Sequence, residues 1–427
     1  MDTIEKIYEL YKKAYTVTTD SRTISKDCVF VALKGEHFDG NDFALNVAEA
    51  GVAACVIADR QDLPRHERLF VVDDSLKTLQ ELAHYHRKQL ATPIIGITGT
   101  NGKTTTKELV SAVLSKKYSI VFTQGNYNNQ LGVPLTLLRV TPQAELAVVE
   151  MGASHPGDIR ELTGIGEPDF GLITNIGRAH LEGFGGYEGV IRTKNEMYEY
   201  IGAHNGMLFV NHDNEMLMGL AKDIKKVTYG STAKADVRGR ILSANPYLSV
   251  EWNGKKIDTQ LVGDYNFENV MAAICIGTYF KVEANDIAEA LSSYCPTNNR
   301  SQVIETGKNR VVMDAYNANP TSMSHAIKNF RNICKDDNLL ILGDMRELGS
   351  ESEQEHLAIL KLLKELGFKA VYLVGPEFSK LSESSELLTF NNVEELAQYL
   401  QKHPVSGKDV LVKGSNSIHL NKIIDSL

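Results

Sequence analysis

The chain has 427 residues, 43% of them apolar and 23% charged, and a formal net charge of −9. Such a length holds two to four domains of about 100–200 residues. The acidic balance excludes a general nucleic-acid binder, because a polyanionic ligand must then be held by local loops, a divalent cation and a few Lys or Arg residues. No run approaches the roughly 18 apolar residues of a spanning helix and the first residues lack an apolar core of signal length, so neither membrane insertion nor secretion is expected. Five cysteines without a CxxC, mostly inside apolar runs, read as reduced, buried thiols of a cytoplasmic protein.

In chain order, residues 1–88 read as a small α/β unit. It has a helix over 3–13, a strand over 29–33, a helix over 42–50 closed by Gly51, and strands over 53–57 and 69–72. Two polar stretches interrupt it, TTDSR (18–22) and LKGEHFDGNDF (33–43), which read first as turns. A helix over 75–90 leads into residues 94–106, where an apolar strand breaks into a glycine loop and opens a helix. That loop, Gly99-Thr100-Asn101-Gly102-Lys103-Thr104, is a phosphate-binding loop of the short form GxxGKT, with Ile97 where the longer pattern has its first glycine. The glycines let backbone amides approach a polyphosphate, Lys103 reaches its outer phosphates and the Thr104 hydroxyl can hold Mg²⁺. A nucleoside triphosphate with Mg²⁺ is therefore expected.

The central stretch, 89–297, goes on alternating strand and helix, so a mainly parallel sheet is expected. The strand over 146–149 delivers Glu150 at its carboxyl end, and the strand over 170–174 delivers Asn175 and then His180, on the rim where such sheets bind ligands. Glu150 stands where a phosphate-loop protein places a carboxylate for Mg²⁺. His180 alone reads more naturally as a surface or capping residue than as a metal ligand, and Lys194, on a helical pattern, reads as a solvated lysine. After a β excursion near 237–257 and a helix opening at Asn266, a polar linker over 294–299 marks a second boundary. Residues 298–427 form a third alternating unit, Rossmann-like without a GxGxxG. There Asp314, Asn317 and Asn319 crowd between a strand and a helix start, more polar groups than an N-cap alone explains.

The stretches GTNGKTTTKE, TQGNYNNQLGVPLTLL, VVEMGASHPGDI, TNIGRAHLEGFG, DAYNANPTSM, LGDMRELG and VLVKGS together resemble the Mur ligase family, over essentially the whole chain. Several of them are shared with folylpolyglutamate synthetase. The resemblance implies a three-domain α/β enzyme with ATP and Mg²⁺ as cofactors. It implies amide ligation through an acyl phosphate, joining D-alanyl-D-alanine to UDP-N-acetylmuramoyl-tripeptide in peptidoglycan synthesis. It also implies a UDP-sugar domain at 1–88, an ATP domain at 89–297 and a C-terminal ligase domain at 298–427.

Carried over by residue, the resemblance puts Thr104 and Glu150 on one Mg²⁺, and Glu150 with His180 on a second. It makes Lys194 a carbamylated lysine supporting that site. Asn266 and Asn269 would lie beside adenine, Arg300 on phosphate and Asp314 near ribose. Ser21, Arg22, Lys34 and Gly35 would face the uridine diphosphate. Asn126, Asn128 and Asn129 would face substrate, and Asn317, Asn319 and Pro320 the incoming dipeptide. Two positions depart from the family: Tyr265 stands where a histidine is usual and Asn416 where an arginine is common. A monomer is expected. The alternatives are another Mur-type or folate-type amino-acid ligase, or a nucleotide-binding scaffold that has lost catalysis.

Overall fold

Strand runs without a polar face need cover on both sides, and each of the three alternating stretches meets that need with its own sheet. The computed structural model describes residues 2–296, 300, 302–334, 337–381 and 387–427. Of the linker expected at 294–299, residues 297–299 lie outside the described residues. The first sheet runs in chain order and all parallel: β1 (Val17–Thr18), β2 (Val29–Val31), β3 (Cys55–Ala58) and β4 (Leu69–Val71). Its helix over Ala44–Ala50 starts later than the pattern suggests, because Asp39 accepts from the Asn41 amide and starts a 3₁₀ turn over Gly40–Phe43.

The central sheet contains β5 (Ile94–Thr98), β6 (Ile120–Phe122), β7 (Leu146–Glu150), β8 (Phe170–Ile173) and β9 (Met207–Asn211). It continues through β10 (Lys226–Gly230), β11 (Val237–Ser243), β12 (Tyr247–Trp252) and β13 (Lys255–Val262). The order across it is β13-β12-β11-β10-β9-β8-β5-β7-β6. All pairs from β6 to β11 are parallel, and β11 to β13 form the antiparallel excursion. Because β5 lies between β7 and β8, the chain leaves it in one direction and later returns on the other side. That reversal opens a crevice at the carboxyl ends of β5, β7 and β8. The following helix, Lys103–Leu114, buries Leu109, Val110, Val113 and Leu114, and packs on Asn266–Tyr279, a helix apolar almost all round and correspondingly buried.

The third sheet holds β14 (Gln302–Glu305), β15 (Arg310–Asp314), β16 (Asn338–Gly343), β17 (Val371–Val374), β18 (Leu388–Phe390) and β19 (Asp409–Lys413), in the order β14-β15-β19-β16-β17-β18. Only the edge strand β14 is antiparallel. Register brings Asp314 opposite Lys413, and Lys413 opposite Leu342, so the carboxyl ends of β15, β19 and β16 form one edge.

The first two sheets share an apolar core. Ile7, Tyr8 and Tyr11 of the first helix (Thr3–Tyr11) and Leu79, Leu82 and Ala83 of the helix Ser75–Gln89 pack with Val133, Leu137 and Val149. Tyr11 donates its hydroxyl to the Leu138 carbonyl at 2.7 Å. The buried Arg87 guanidinium donates to the carbonyls of Gly166 and Glu167 and to Asp169. The third sheet packs against the loop after β8: Leu181 and Phe184 share a cluster with Val312, Ala318 and Met323. No helix among the described residues is long and apolar enough to cross a membrane. Of the cysteines, Cys28, Cys55 and Cys275 are buried as expected, whereas Cys295 is exposed and Cys334 half-buried.

Candidate active site

The phosphate loop leaves β5 through two glycines that no other residue could replace. Gly99 has φ 137° and Gly102 φ 78°. A Cβ on Gly99 would stand 2.0 Å from the Thr174 hydroxyl, and one on Gly102 would stand 2.6 Å from Asn269 Oδ1. The loop is braced against the end of β8. Thr100 N–H donates to the Asn175 carbonyl at 2.9 Å, Asn101 N–H donates to Asn175 Oδ1 at 3.0 Å, and Thr174 Oγ1 donates to the Asn101 carbonyl at 2.6 Å.

Lys103 opens the helix and folds its ammonium back onto the Gly99 and Thr100 carbonyls, at 2.7 and 2.9 Å. Burial pushes its pKa down to about 8, with Arg300 adding to the effect and Glu150 opposing it. One turn on, Thr104 Oγ1 donates to Glu150 Oε1 at 3.1 Å, and Asn128 Nδ2 donates to the same oxygen at 2.8 Å. Glu150 is 1% exposed, and its Oε2 has no hydrogen-bond partner among the described residues. A buried carboxylate oxygen without a donor is costly unless something cationic meets it. With the Thr104 hydroxyl beside it, this all-oxygen pair suits a hard cation such as Mg²⁺.

Lys194 is 2% exposed, so the solvated lysine read from the helical pattern is overturned: the helix Tyr187–Ala203 turns this position inward. Its ammonium lies 5.5 Å from the Phe184 ring centre. Burial first, and Lys103 second, hold its pKa well below the usual lysine value, while Asp158 and Glu196 oppose the shift. His180 takes a left-handed backbone (φ 52°) and pairs through Nδ1 with Glu347 of the third unit, which holds the Glu347 carboxyl below its usual range. The hydrogen bonds of Glu150 and His180 therefore run to different partners. Among the described residues no group of three or more His, Cys, Asp or Glu side chains gathers as a metal cluster.

Behind the loop, Thr106 Oγ1 donates to Asn269 Oδ1, Asn269 Nδ2 to Asn266 Oδ1, and Asn266 Nδ2 to the Val262 carbonyl. Both asparagines are buried, and this relay ties β13 to the phosphate-loop helix. Arg300 stacks its guanidinium 3.8 Å from the Tyr316 ring centre, and its Nε is buried without a hydrogen-bond partner among the described residues. Asp314 forms an ion pair with Lys413 at 2.6 Å, and Lys413 also donates to the Asn317 carbonyl. Asn319 caps the helix Pro320–Ile333 by accepting from Ser322 N–H at 2.9 Å, with Pro320 in the first turn. Its other amide atom, Nδ2, crosses to the phosphate loop and donates to Asn101 Oδ1 at 2.7 Å.

The remaining candidates are placed apart. Asn126 is exposed, and Asn129 Oδ1 accepts from the Leu131 and Gly132 amides at the start of the helix Gly132–Leu137. Ser21 and Arg22 lie on a 3₁₀ turn of the first unit, where Arg22 holds Asp20. Lys34 and Gly35 begin a tight turn closed by a bridge from Lys34 to Asp39. Sequence reasoning assigned no role to Asn175, Arg178 or Glu347. Arg178 reaches Glu351 and Glu355 of the third unit, and its own N–H donates to Thr321 Oγ1 at 3.2 Å. Among these, only Asn175 carried a signal, as the polar residue already read at a strand end on the ligand-binding rim.

Three family models match successive parts of the chain. They are "Mur ligase family, catalytic domain" over residues 13–87, "Mur ligase middle domain" over 97–277 and "Mur ligase, glutamate ligase domain" over 299–416. The UDP-N-acetylmuramoyl-tripeptide–D-alanyl-D-alanine ligase of Bacillus subtilis (strain 168) is 33% identical over 425 residues, covering 96% of this chain and 92% of that protein. The crystal structure of MurF from Acinetobacter baumannii matches with TM-score 0.84 at 31% identity, over 96% of this chain and 92% of that one. The MurF ligase of Thermotoga maritima in complex with ADP matches with TM-score 0.83 at 28% identity, over 100% and 98% of the two chains. The full-length matches and the three α/β sheets agree: this chain belongs to the Mur ligase family.

Proposed function

We propose that the chain is the ATP-dependent ligase that joins D-alanyl-D-alanine to UDP-N-acetylmuramoyl-tripeptide, acting as a cytoplasmic monomer. The observation that carries the reading is the meeting of two half-sites. A phosphate loop with Lys103, Thr104 and Glu150 is joined to the Asp314–Pro320 stretch of the third sheet by the Asn319–Asn101 hydrogen bond. A peptide carboxylate is a poor acyl donor. Its oxygen attacks the γ-phosphorus of ATP, the bond to the bridging oxygen breaks, and ADP leaves. The resulting acyl phosphate is attacked at carbon by the dipeptide amine, which loses a proton as inorganic phosphate departs. No covalent enzyme intermediate is required, so catalysis rests on positioning and on neutralising phosphate charge.

In this reading residues 1–88 hold the UDP-sugar, with Ser21, Arg22, Lys34 and Gly35 toward the diphosphate. Residues 89–297 hold ATP, and 298–427 bring the acceptor. The Gly99–Thr104 amides cradle the phosphates. Lys103 leaves the Gly99 and Thr100 carbonyls for the outer phosphate oxygens, whose charge favours its ammonium. Arg300 supplies a second cation, and Asn266 and Asn269 stiffen the nucleotide wall. Thr104 and Glu150 would hold Mg²⁺, which when bound withdraws charge from the phosphate oxygens. Glu150 with His180, once that imidazole leaves Glu347, would hold a second Mg²⁺.

Lys194, whose ammonium is disfavoured by burial, is suited to carbamylation: the nitrogen lone pair of its amine form attacks CO₂, one C=O electron pair moves to oxygen, and a proton leaves. The anionic product would offset the Lys103 charge nearby. Asn128, Asn317 and Pro320 would border the reacting groups, and Asn126 and Asn129 would face substrate from the loop before the helix Gly132–Leu137. The test is phosphate release from ATP and Mg²⁺ with the UDP-tripeptide, with and without D-alanyl-D-alanine. Release that needs both, with a UDP-linked pentapeptide formed, is the expected result. Turnover only with a different amino acid would refute the substrate assignment.

A further inference from the structure

The loop after β8 is held from two sides. On one, Gly177 N–H donates to Thr100 Oγ1 at 2.9 Å, and that hydroxyl donates to the Gly177 carbonyl at 3.3 Å. Asn175 holds the Thr100 and Asn101 amides from the same side, so this stretch is tied to the phosphate loop. On the other side, Arg178 N–H donates to Thr321 Oγ1 of the helix Pro320–Ile333 at 3.2 Å. The approach is close: a Cβ on Gly177 would stand 3.0 Å from that same oxygen. The segment Asn175–Arg178 therefore bridges the phosphate loop and the third unit.

The Arg178 side chain fastens the outer side. Its Nε donates to Glu355 Oε1 at 2.8 Å, and its Nη2 pairs with Glu351. Glu351 ends the 3₁₀ turn Gly349–Glu351 and Glu355 lies in the first turn of the helix Ser352–Glu365, so one planar fork takes two carboxylates. An isolated surface pair contributes little. Here the Glu355 side chain is only 12% exposed, and without the guanidinium the two neighbouring carboxylates would repel each other. Gly349, at φ 55°, presses this turn onto the loop after β8, since a Cβ there would stand 2.9 Å from Glu182 Cβ. Leu181 and Phe184 share an apolar cluster with Met345 and Leu348 beside it. We infer that Arg178 is a positioning residue: with Glu351 and Glu355 it fixes the third unit against the loop after β8, and through Gly177 and Thr100 it passes that position on to the phosphate loop. The inference goes beyond the ligase reading, and only its kinetic consequence rests on that reading.

The test uses the full chain as wild type, as Arg178→Ala, as Arg178→Lys, and as the exchanged pair Arg178→Glu with Glu355→Arg, in which the fork and one carboxylate trade places. Hydrogen–deuterium exchange, run without substrate, reads the relay itself. In Arg178→Ala the amides of residues 177–178 and 345–351 exchange about fivefold faster, and so do those of Thr100 and Asn101, while the β5 amides keep wild-type protection. Arg178→Lys, which keeps the charge without the fork, falls between, and the exchanged pair returns to within about twofold of wild type. In the phosphate-release assay kcat falls about fivefold in Arg178→Ala and recovers in the exchanged pair. The KM for the UDP-tripeptide stays within about twofold, because residues 1–88 are untouched. Faster exchange that stops short of Thr100 and Asn101, a wild-type kcat in Arg178→Ala, or an exchanged pair no better than Arg178→Ala would each overturn the inference. Absence of wild-type turnover would remove the ligase reading, and the exchange measurement then decides the relay by itself.

Discussion

Asn319 does two jobs with one amide, and substitution can separate them. Its Oδ1 accepts from Ser322 N–H at 2.9 Å, so the nitrogen is the atom facing Asn101, whose Oδ1 accepts at 2.7 Å. Asn319→Ala removes both contacts. Loss of an N-cap costs about 1 kcal/mol, and loss of a part-buried hydrogen bond between two units costs about another 1 kcal/mol. Asn319→Asp keeps the cap, because a carboxylate at a helix N-terminus accepts at least as well. It faces Asn101 Oδ1 with oxygen in place of N–H, so only the bridge is lost. The Ala variant should lower the unfolding midpoint by about 2–4 °C, and the Asp variant, which loses only the bridge, by about half as much. Both should lower kcat/KM about fivefold, the equivalent of about 1 kcal/mol. Differential scanning fluorimetry and the phosphate-release assay, run on the same preparations, give both numbers. An Asp variant with wild-type kcat/KM would show that the bridge does not couple the two half-sites, and equal midpoints for Ala and Asp would refute the division of labour.

Three further outcomes follow from the geometry. Burial holds Lys103 at about 8, so in the free protein its ammonium is present below that pH and lost as pH rises through it. A bound polyphosphate favours the ammonium, so nucleotide binding should take up a proton between about pH 8 and the ordinary lysine value near 10. Calorimetry in buffers of different ionisation enthalpy reads that uptake; Lys103→Ala should abolish it together with ATP turnover while leaving the circular dichroism unchanged, and its absence from wild type refutes the assignment. Lys194→Ala should lose activity that bicarbonate cannot restore, and ¹³C-bicarbonate should give the wild-type protein a carbamate resonance that the variant lacks. A fully active variant, or no resonance in wild type, sinks the carbamate. Tyr11→Phe strands the Leu138 carbonyl, at a cost of about 1–3 kcal/mol. Urea unfolding that shows no loss would mean that this bond does not help join the first two sheets.

Local pattern carried the phosphate loop, because strand, glycine turn, lysine, threonine and helix are neighbours in the chain and each has a physical reason to follow the last. It also carried Glu150 at a strand end and the three alternating units, since buried parallel strands and amphipathic helices have periods that show within a dozen residues. β1 escaped notice because two residues are too short to show a period. Burial of Lys194 escaped it because a helical pattern does not say which face the neighbours cover. The position of β5 between β7 and β8, the grip of Asn128 on Glu150, the Asn319–Asn101 bridge and the His180–Glu347 pair were decided by the tertiary structure alone. The last two join residues 218 and 167 positions apart, and no local periodicity reaches so far. The residues proposed to bind ATP could be named from the chain; which of them meet, and which are already held by another side chain, came only with the packing of the sheets and the loops between them.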